Sequence, residues 1–190
     1  MLIRAPRREV GFSLIEISIV LAILALVLTF GVPSFVEWSQ NTQIRATTES
    51  IQSGLQFARS EAVRRNTGIE FKLSNNMGTA GGTGWTVAPV SSPNNPIQSK
   101  PDRESSSRIV VTSTPSGADM ITFDGTGRAW TNKAGKNNDG TDFLTRVNVD
   151  SSGIDASKTR ELSIMIDAVG GRIRMCDPNV STTGDPRKCS

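Results

Sequence analysis

From Ile19 to Leu28 the chain carries no polar side chain, and the apolar character extends from Phe12 to Val36, broken only by Ser13, Glu16, Ser18, Thr29, Gly31, Pro33 and Ser34. A helix rises about 1.5 Å per residue, and a bilayer core needs roughly 20 such residues. The stretch is therefore long enough to span a membrane. Arg4, Arg7 and Arg8 precede it; the positive-inside rule keeps them cytoplasmic and places the rest of the chain outside. Glu16 does not fit an ordinary anchor, because a carboxylate in hydrocarbon is costly and needs a partner. A cleaved secretory signal would run an unbroken apolar core to an Ala-x-Ala-like site, and none follows. A plain signal anchor with Glu16 at the membrane interface is the simpler alternative.

Gly11-Phe12-Ser13-Leu14-Ile15-Glu16 ends a short basic leader and opens the apolar run. This segment resembles the type III signal of type IV pilins and pseudopilins, matching at the Gly, the Phe and the Glu at the fifth place after the Gly. The resemblance implies a prepilin peptidase that cuts between Gly11 and Phe12 and N-methylates the new terminus. It also gives Glu16 a partner, the new amine on Phe12 of a neighbouring subunit. In a low dielectric such a pair is strong, and an unpaired charge is penalised. The buried charge then favours a filament of pilins over the lone subunit. Pro33 lies where family members often carry a proline; its ring and missing N–H predict a kink or local melting.

Removing residues 1–11 and the anchor leaves enough chain for one soluble domain with a modest core. Formal net charge is +3, of which the leader (Arg4, Arg7, Arg8 and Glu9) holds +2, so the mature chain is only about +1. The sequence pI of 9.2 overstates its basicity. Only the distribution of charge, not its sum, argues for a nucleic-acid partner. Histidine and tyrosine are absent, which excludes His-based zinc sites and Ser-His-Asp or Cys-His catalysis. No paired-carboxylate or nucleophile motif points to an enzyme, and no cofactor is implied. Cys176 and Cys189 are the two cysteines. An exported chain would join them; two free thiols are the alternative.

Beyond the anchor, Phe35, Val36, Ile44, Ile51, Leu55, Phe57, Ala58, Ala62 and Val63 recur at spacings compatible with a helical stripe, up to a stop signal at Asn66-Thr67-Gly68. One long helix over residues 12 to about 65 is predicted. Its first half lies in lipid or filament core and its second half packs on the head; Gly54 weakens it. The segment from Phe57 to Asn66 resembles the helix end of the GspH/FimT branch of the family. Arg59, Arg64 and Arg65 there are either part of a basic face or a solvated helix end.

After Gly68 short apolar runs alternate with Gly, Pro, Ser and Asn clusters. Strands are predicted at 69–73, 85–90, 108–112, 120–123, 128–131, 143–149, 162–168 and 172–176, giving an antiparallel β domain and an α+β, pilin-like fold. Asp124-Gly125-Thr126-Gly127 reads as a hairpin turn, and residues 74–84 and 91–107 as loops. Residues 137–142 are rich in oxygens that suit calcium but lack EF-hand spacing, so a plain turn is expected and no metal site. The organisation is thus a leader (1–11), a transmembrane or filament-core half-helix (12–38) and a soluble head (39–190).

Near the end stands Gly171-Arg172-Ile173-Arg174. On a strand, positions i and i+2 share a face, so Arg172 and Arg174 point one way and Ile173 and Met175 toward the core. Over 170–190 four cations (Arg172, Arg174, Arg187, Lys188) face two carboxylates, Asp177 and Asp185. A Cys176–Cys189 bridge would hold Arg187 and Lys188 near the strand. The four-residue segment resembles the Gly-Arg-x-Arg signature of FimT-like minor pilins, which bind DNA during natural transformation. That resemblance implies a site for the phosphate backbone of double-stranded DNA at Gly171, Arg172, Arg174, Arg187 and Lys188. Charge that keeps an edge strand from aggregating is the plainer account of the arginines. Trp85 and Trp130 are either base-stacking surfaces or core.

The sequence therefore predicts a non-enzymatic minor pilin, anchored first in the bacterial inner membrane with a periplasmic head and later in an extracellular pilus. Its expected partners are the membrane, the prepilin peptidase, other pilins and DNA. The structural alternative is a GspH-like pseudopilin of type II secretion, or an assembly-priming subunit, with no role in DNA. Leaving an amine buried without its acid costs about 3–5 kcal/mol. Glu16→Gln should therefore cut recovery of the subunit in sheared filament fractions by at least about tenfold, while membrane fractions keep it.

Overall fold

The computed structural model describes residues 11–104, 107–130, 137, 140–167 and 170–189. Helix α1 runs unbroken over Leu14–Arg65, as the periodicity predicts. Glu16 sits in its first turn and Arg64 and Arg65 in its last, the placement that the helix dipole favours. Pro33 lies inside the helix. It removes the N–H that would reach the Thr29 carbonyl, yet the helix does not melt there. The chain divides between Val36 and Glu37 into two compact units. In the first, every described side chain from Phe12 to Leu28 is exposed. Among the described residues one helix, α1, is long and apolar enough to cross a membrane.

In the second unit the helix acquires a core. Ile44, Ile51, Leu55, Ala58 and Ala62 are fully buried, one stripe at helical spacing. Gly54 continues that face for a packing reason. A Cβ there would lie 2.9 Å from the Phe71 ring and 3.1 Å from Trp85. These two rings stack with centroids 5.8 Å apart. Trp85 is 5% exposed and its Nε1 donates to Ser50 Oγ at 3.2 Å, so it is a core residue and not a stacking surface.

Eight strands follow, all paired antiparallel. They form two four-stranded sheets, the antiparallel β domain predicted. The strands are β1 (Ile69–Leu73), β2 (Trp85–Pro89), β3 (Gln98–Lys100), β4 (Ile109–Thr114), β5 (Met120–Phe123), β6 (Arg146–Ser151), β7 (Leu162–Ile166) and β8 (Ile173–Cys176). One sheet has the order β3-β2-β1-β5, the other β4-β6-β7-β8. Inward residues alternate as a half-buried sheet requires: Ile69, Phe71 and Leu73 on β1, Val147, Val149 and Ser151 on β6.

Two predicted elements differ. Strand β3 lies in the segment expected to be loop; its residues are polar and exposed or half-exposed, so no apolar pattern marks it. Residues 128–130 are not a strand. Ala129 makes an isolated bridge to Phe123, flanked by hydrogen bonds from Asp124 N–H to the Arg128 carbonyl at 2.9 Å and from Trp130 N–H to the Thr122 carbonyl at 2.7 Å; Thr131 lies outside the described residues. That turn is as predicted, with Gly127 N–H donating to the Asp124 carbonyl at 2.9 Å. The loop 74–84 is pinned by Asp102, whose carboxylate accepts from Ser74 Oγ, Asn76 Nδ2 and Gly84 N at 2.6–2.8 Å. Asn137 is buried and donates to the Met120 and Asp142 carbonyls and to Thr141 Oγ1, a structural plug. Asn138 and Asp139 lie outside the described residues. Among the described residues no group of three His, Cys, Asp or Glu is placed to hold a metal.

The helix ends on an ion cluster. Glu61, only 7% exposed, accepts from Arg64 Nε at 2.8 Å, Arg64 Nη2 at 2.7 Å and Arg65 Nε at 2.7 Å. Hydrogen bonds from Arg64, then from Arg65, outweigh burial and lower its pKa from 4.5 to about 2. A carboxylate depressed in the folded state stabilises most above its ordinary pKa and loses that contribution as pH falls through the folded value. Urea unfolding should show Glu61→Gln less stable than wild type at pH 7, with the gap closing between about pH 4.5 and 2.

Candidate functional site

The last strand carries the arginines into place. Ile166 pairs with Ile173 and Met165 with Arg174. Ile173 packs against the core. Arg172 and Arg174 line one shallow cavity of about 190 Å³ with Met165, Ile166 and Asp167. Met175, expected to face the core with Ile173, is half-buried and not part of it, and burial along β8 does not alternate; Arg172 itself precedes the first paired residue. Arg172 is exposed and Arg174 half-buried. Arg174 Nη2 donates to the Lys188 carbonyl at 3.3 Å.

The C-terminal segment folds back along β8. Cys176 and Cys189 are bonded, Asp177 N–H donates to the Arg187 carbonyl at 2.7 Å, and Asp177 and Lys188 form a parallel bridge. The side chains of the two outer cations are already engaged. Arg187 makes a two-point ion pair with Asp185, Nη2 to Oδ2 at 2.8 Å and Nε to Oδ1 at 3.2 Å. The hydrogen bonds from Arg187 hold the Asp185 carboxyl down at about 2. Lys188 Nζ donates to the Ser181 carbonyl at 3.3 Å. Of the four cations singled out in the sequence, Arg172 and Arg174 are brought together at one cavity. Arg187 is largely neutralised by its neighbour.

Gly171 is fixed by sterics. Its φ is +62°, and a Cβ there would stand 2.0 Å from the Gly127 carbonyl oxygen. Only glycine fits both demands. The same carbonyl accepts from Arg59 Nε at 2.9 Å, and Arg59 Nη2 reaches the Gly170 carbonyl at 3.5 Å. Gly171 N–H donates to the Asp167 carbonyl at 2.7 Å, and Asp167 N–H to the Arg172 carbonyl at 2.9 Å. So Arg59 is neither a solvated helix end nor a freely displayed cation. It clamps the turn at 124–127 to the turn that leads into β8. A lone arginine in a helix carries no sequence signal for that role. Arg64 and Arg65, by contrast, are held on Glu61. Trp130, 39% exposed, lies over Gly68, where an added Cβ would meet its ring at 2.4 Å. At the other end of the chain Gly11 and Phe12 are exposed ahead of the helix, with Glu16 one turn in.

The family model for the type II transport protein GspH matches residues 47–170. The chain belongs to the GspH family. The match covers the packed half of the helix and β1 to β7 and stops one residue before Gly171. No curated protein sequence matches the chain. Among solved structures, the type IV minor pilin FimU of Pseudomonas aeruginosa PAO1 is similar. One crystal form gives a TM-score of 0.51 at 16% identity, covering 73% of this chain and 91% of that one. A second crystal form of the same protein gives 0.47 at 17% identity, covering 69% and 90%. At such identity the first likeness shows a shared fold. The family is that of GspH and the fold is pilin-like.

The geometry at Gly171 predicts an outsized cost for one methyl group. A positive φ costs a non-glycine residue about 1–2 kcal/mol, and forcing a group into occupied space adds about 1–3 kcal/mol. Gly171→Ala should therefore lose roughly 2–5 kcal/mol in urea unfolding. Gly184→Ala, at φ +89° with open space around it, should lose only about 1 kcal/mol.

Proposed function

We propose that this chain is a FimT-like minor pilin that captures double-stranded DNA, without sequence preference, through Arg172 and Arg174. The single observation that carries this reading is the shared cavity of the two arginines at the edge of β8. Like charges two residues apart on one face repel, and an anion across them relieves the repulsion. Guanidinium groups suit phosphate oxygens. The setting offers little for reading base edges, so contacts would be made to the backbone and would weaken with salt. Few phosphates are within reach of one subunit, so affinity per copy is low and rises with several copies in one filament. Gly171 shapes the turn, while Arg187 and Lys188 flank the pair. In this reading the peptidase cuts after Gly11, the helix anchors the chain in the inner membrane with its head outside, and Glu16 then seats the subunit in the pilus. The protein catalyses nothing.

The family description favours a second reading, a pseudopilin or priming subunit with no DNA role. Assembly alone does not call for the arginine pair. In a gel shift with the full chain in detergent, Arg172→Ala/Arg174→Ala should abolish most DNA binding and flatten the salt dependence by about two charges. Arg187→Ala should have the smaller effect, because its charge is already matched by Asp185. Undiminished binding by the double variant would favour the structural reading.

A further inference from the structure

The arginine pair has a neighbour that is distant in sequence. Under Arg59 the turn at 124–127 and the turn before β8 touch, glycine against glycine, with a virtual Cβ on Gly171 only 2.0 Å from the Gly127 oxygen. The residue after each glycine is an exposed arginine, Arg128 in one turn and Arg172 in the other. Consecutive Cα atoms are about 3.8 Å apart, so the contact between the glycines sets the two arginine backbones side by side. We infer that Arg128 is a further contact point for a phosphodiester backbone, held beside Arg172 by the Arg59 clamp. This rests on the DNA reading above and extends its surface from the edge of β8 onto the turn after β5.

Three features support it. First, the main chain of Arg128 is fixed. Its N–H donates to Asp124 Oδ1 at 3.1 Å and its carbonyl accepts from Asp124 N at 2.9 Å. A fixed backbone with an exposed side chain suits a phosphate contact, since less freedom is lost on binding. Second, Arg59 donates to carbonyls, which are neutral, so its positive charge is kept beneath the junction. Third, the nearby carboxylates are outnumbered. Asp124 Oδ1 is occupied by Thr126 N, Thr126 Oγ1 and Arg128 N, and Asp167 lines the cavity. Asp167 shares that cavity with Arg172 and Arg174, and Asp124 feels the charge of Arg128, so two acids stand among four arginines counting Arg59.

The test measures duplex DNA affinity of the full chain in detergent across a salt series. Arg128→Ala should weaken binding on the order of three- to tenfold at low salt and lower the slope of log K against log salt by about one. Arg128→Lys should keep the slope, and the melting temperature of both variants should match wild type. If Arg172→Ala/Arg174→Ala loses binding while Arg128→Ala keeps both affinity and slope, the inference fails and the DNA reading stands. If the wild-type chain binds no DNA, both fail.

Discussion

One unbroken helix changes character along its length, and the rest of the molecule follows from how it does so. Over its first half the described side chains from Phe12 to Leu28 are exposed all round. Over its second half Ile44, Ile51, Leu55, Ala58 and Ala62 face a core built by both sheets. The second half needs amphipathic spacing and the first does not, so the polar residues are unevenly shared along a single unbroken α1. Gly54 belongs to the same constraint: the aromatic pair Phe71 and Trp85 comes so close that a side chain on that turn would meet them.

The second organising contact is much smaller. Arg59 reaches from that helix to two carbonyl groups on loops that sequence order keeps far apart. Hydrogen bonds to neutral acceptors fix the loops without cancelling the charge. The region therefore has a rigid footing and keeps its positive potential. Several other cations are held in ion pairs. Arg64 and Arg65 are committed to Glu61, Arg187 to Asp185 and Lys158 to Glu37. At the edge of β8, by contrast, Arg172 and Arg174 line one cavity together.

Much of this fold was readable in the sequence because strong periodicities mark it. The helix, and strands β1, β2, β5 and β7, were found at or within two residues of their bounds, since their apolar residues have nowhere else to go. Strand β3 was not, because Gln98, Ser99 and Lys100 pair through their backbones and show no pattern. Residues 128–130 misled in the other direction, their composition suiting a strand that the turn geometry does not extend. At the candidate site the meeting of Arg172 and Arg174 at one cavity was predictable from strand periodicity. The role of Arg59 was not, because its partners are main-chain oxygens, and main-chain oxygens look the same at every position in a sequence.

The return of the last residues along β8 has a mechanical side. Residues 176–189 form a closed ring through the Cys176–Cys189 bond, so tension applied anywhere on it divides between two arms and arrives at the same strand end. That end is the last rung of the ladder of β8 to β7, where Cys176 pairs with Ser163. An open tail would instead peel away from its outermost residue, one weak contact at a time.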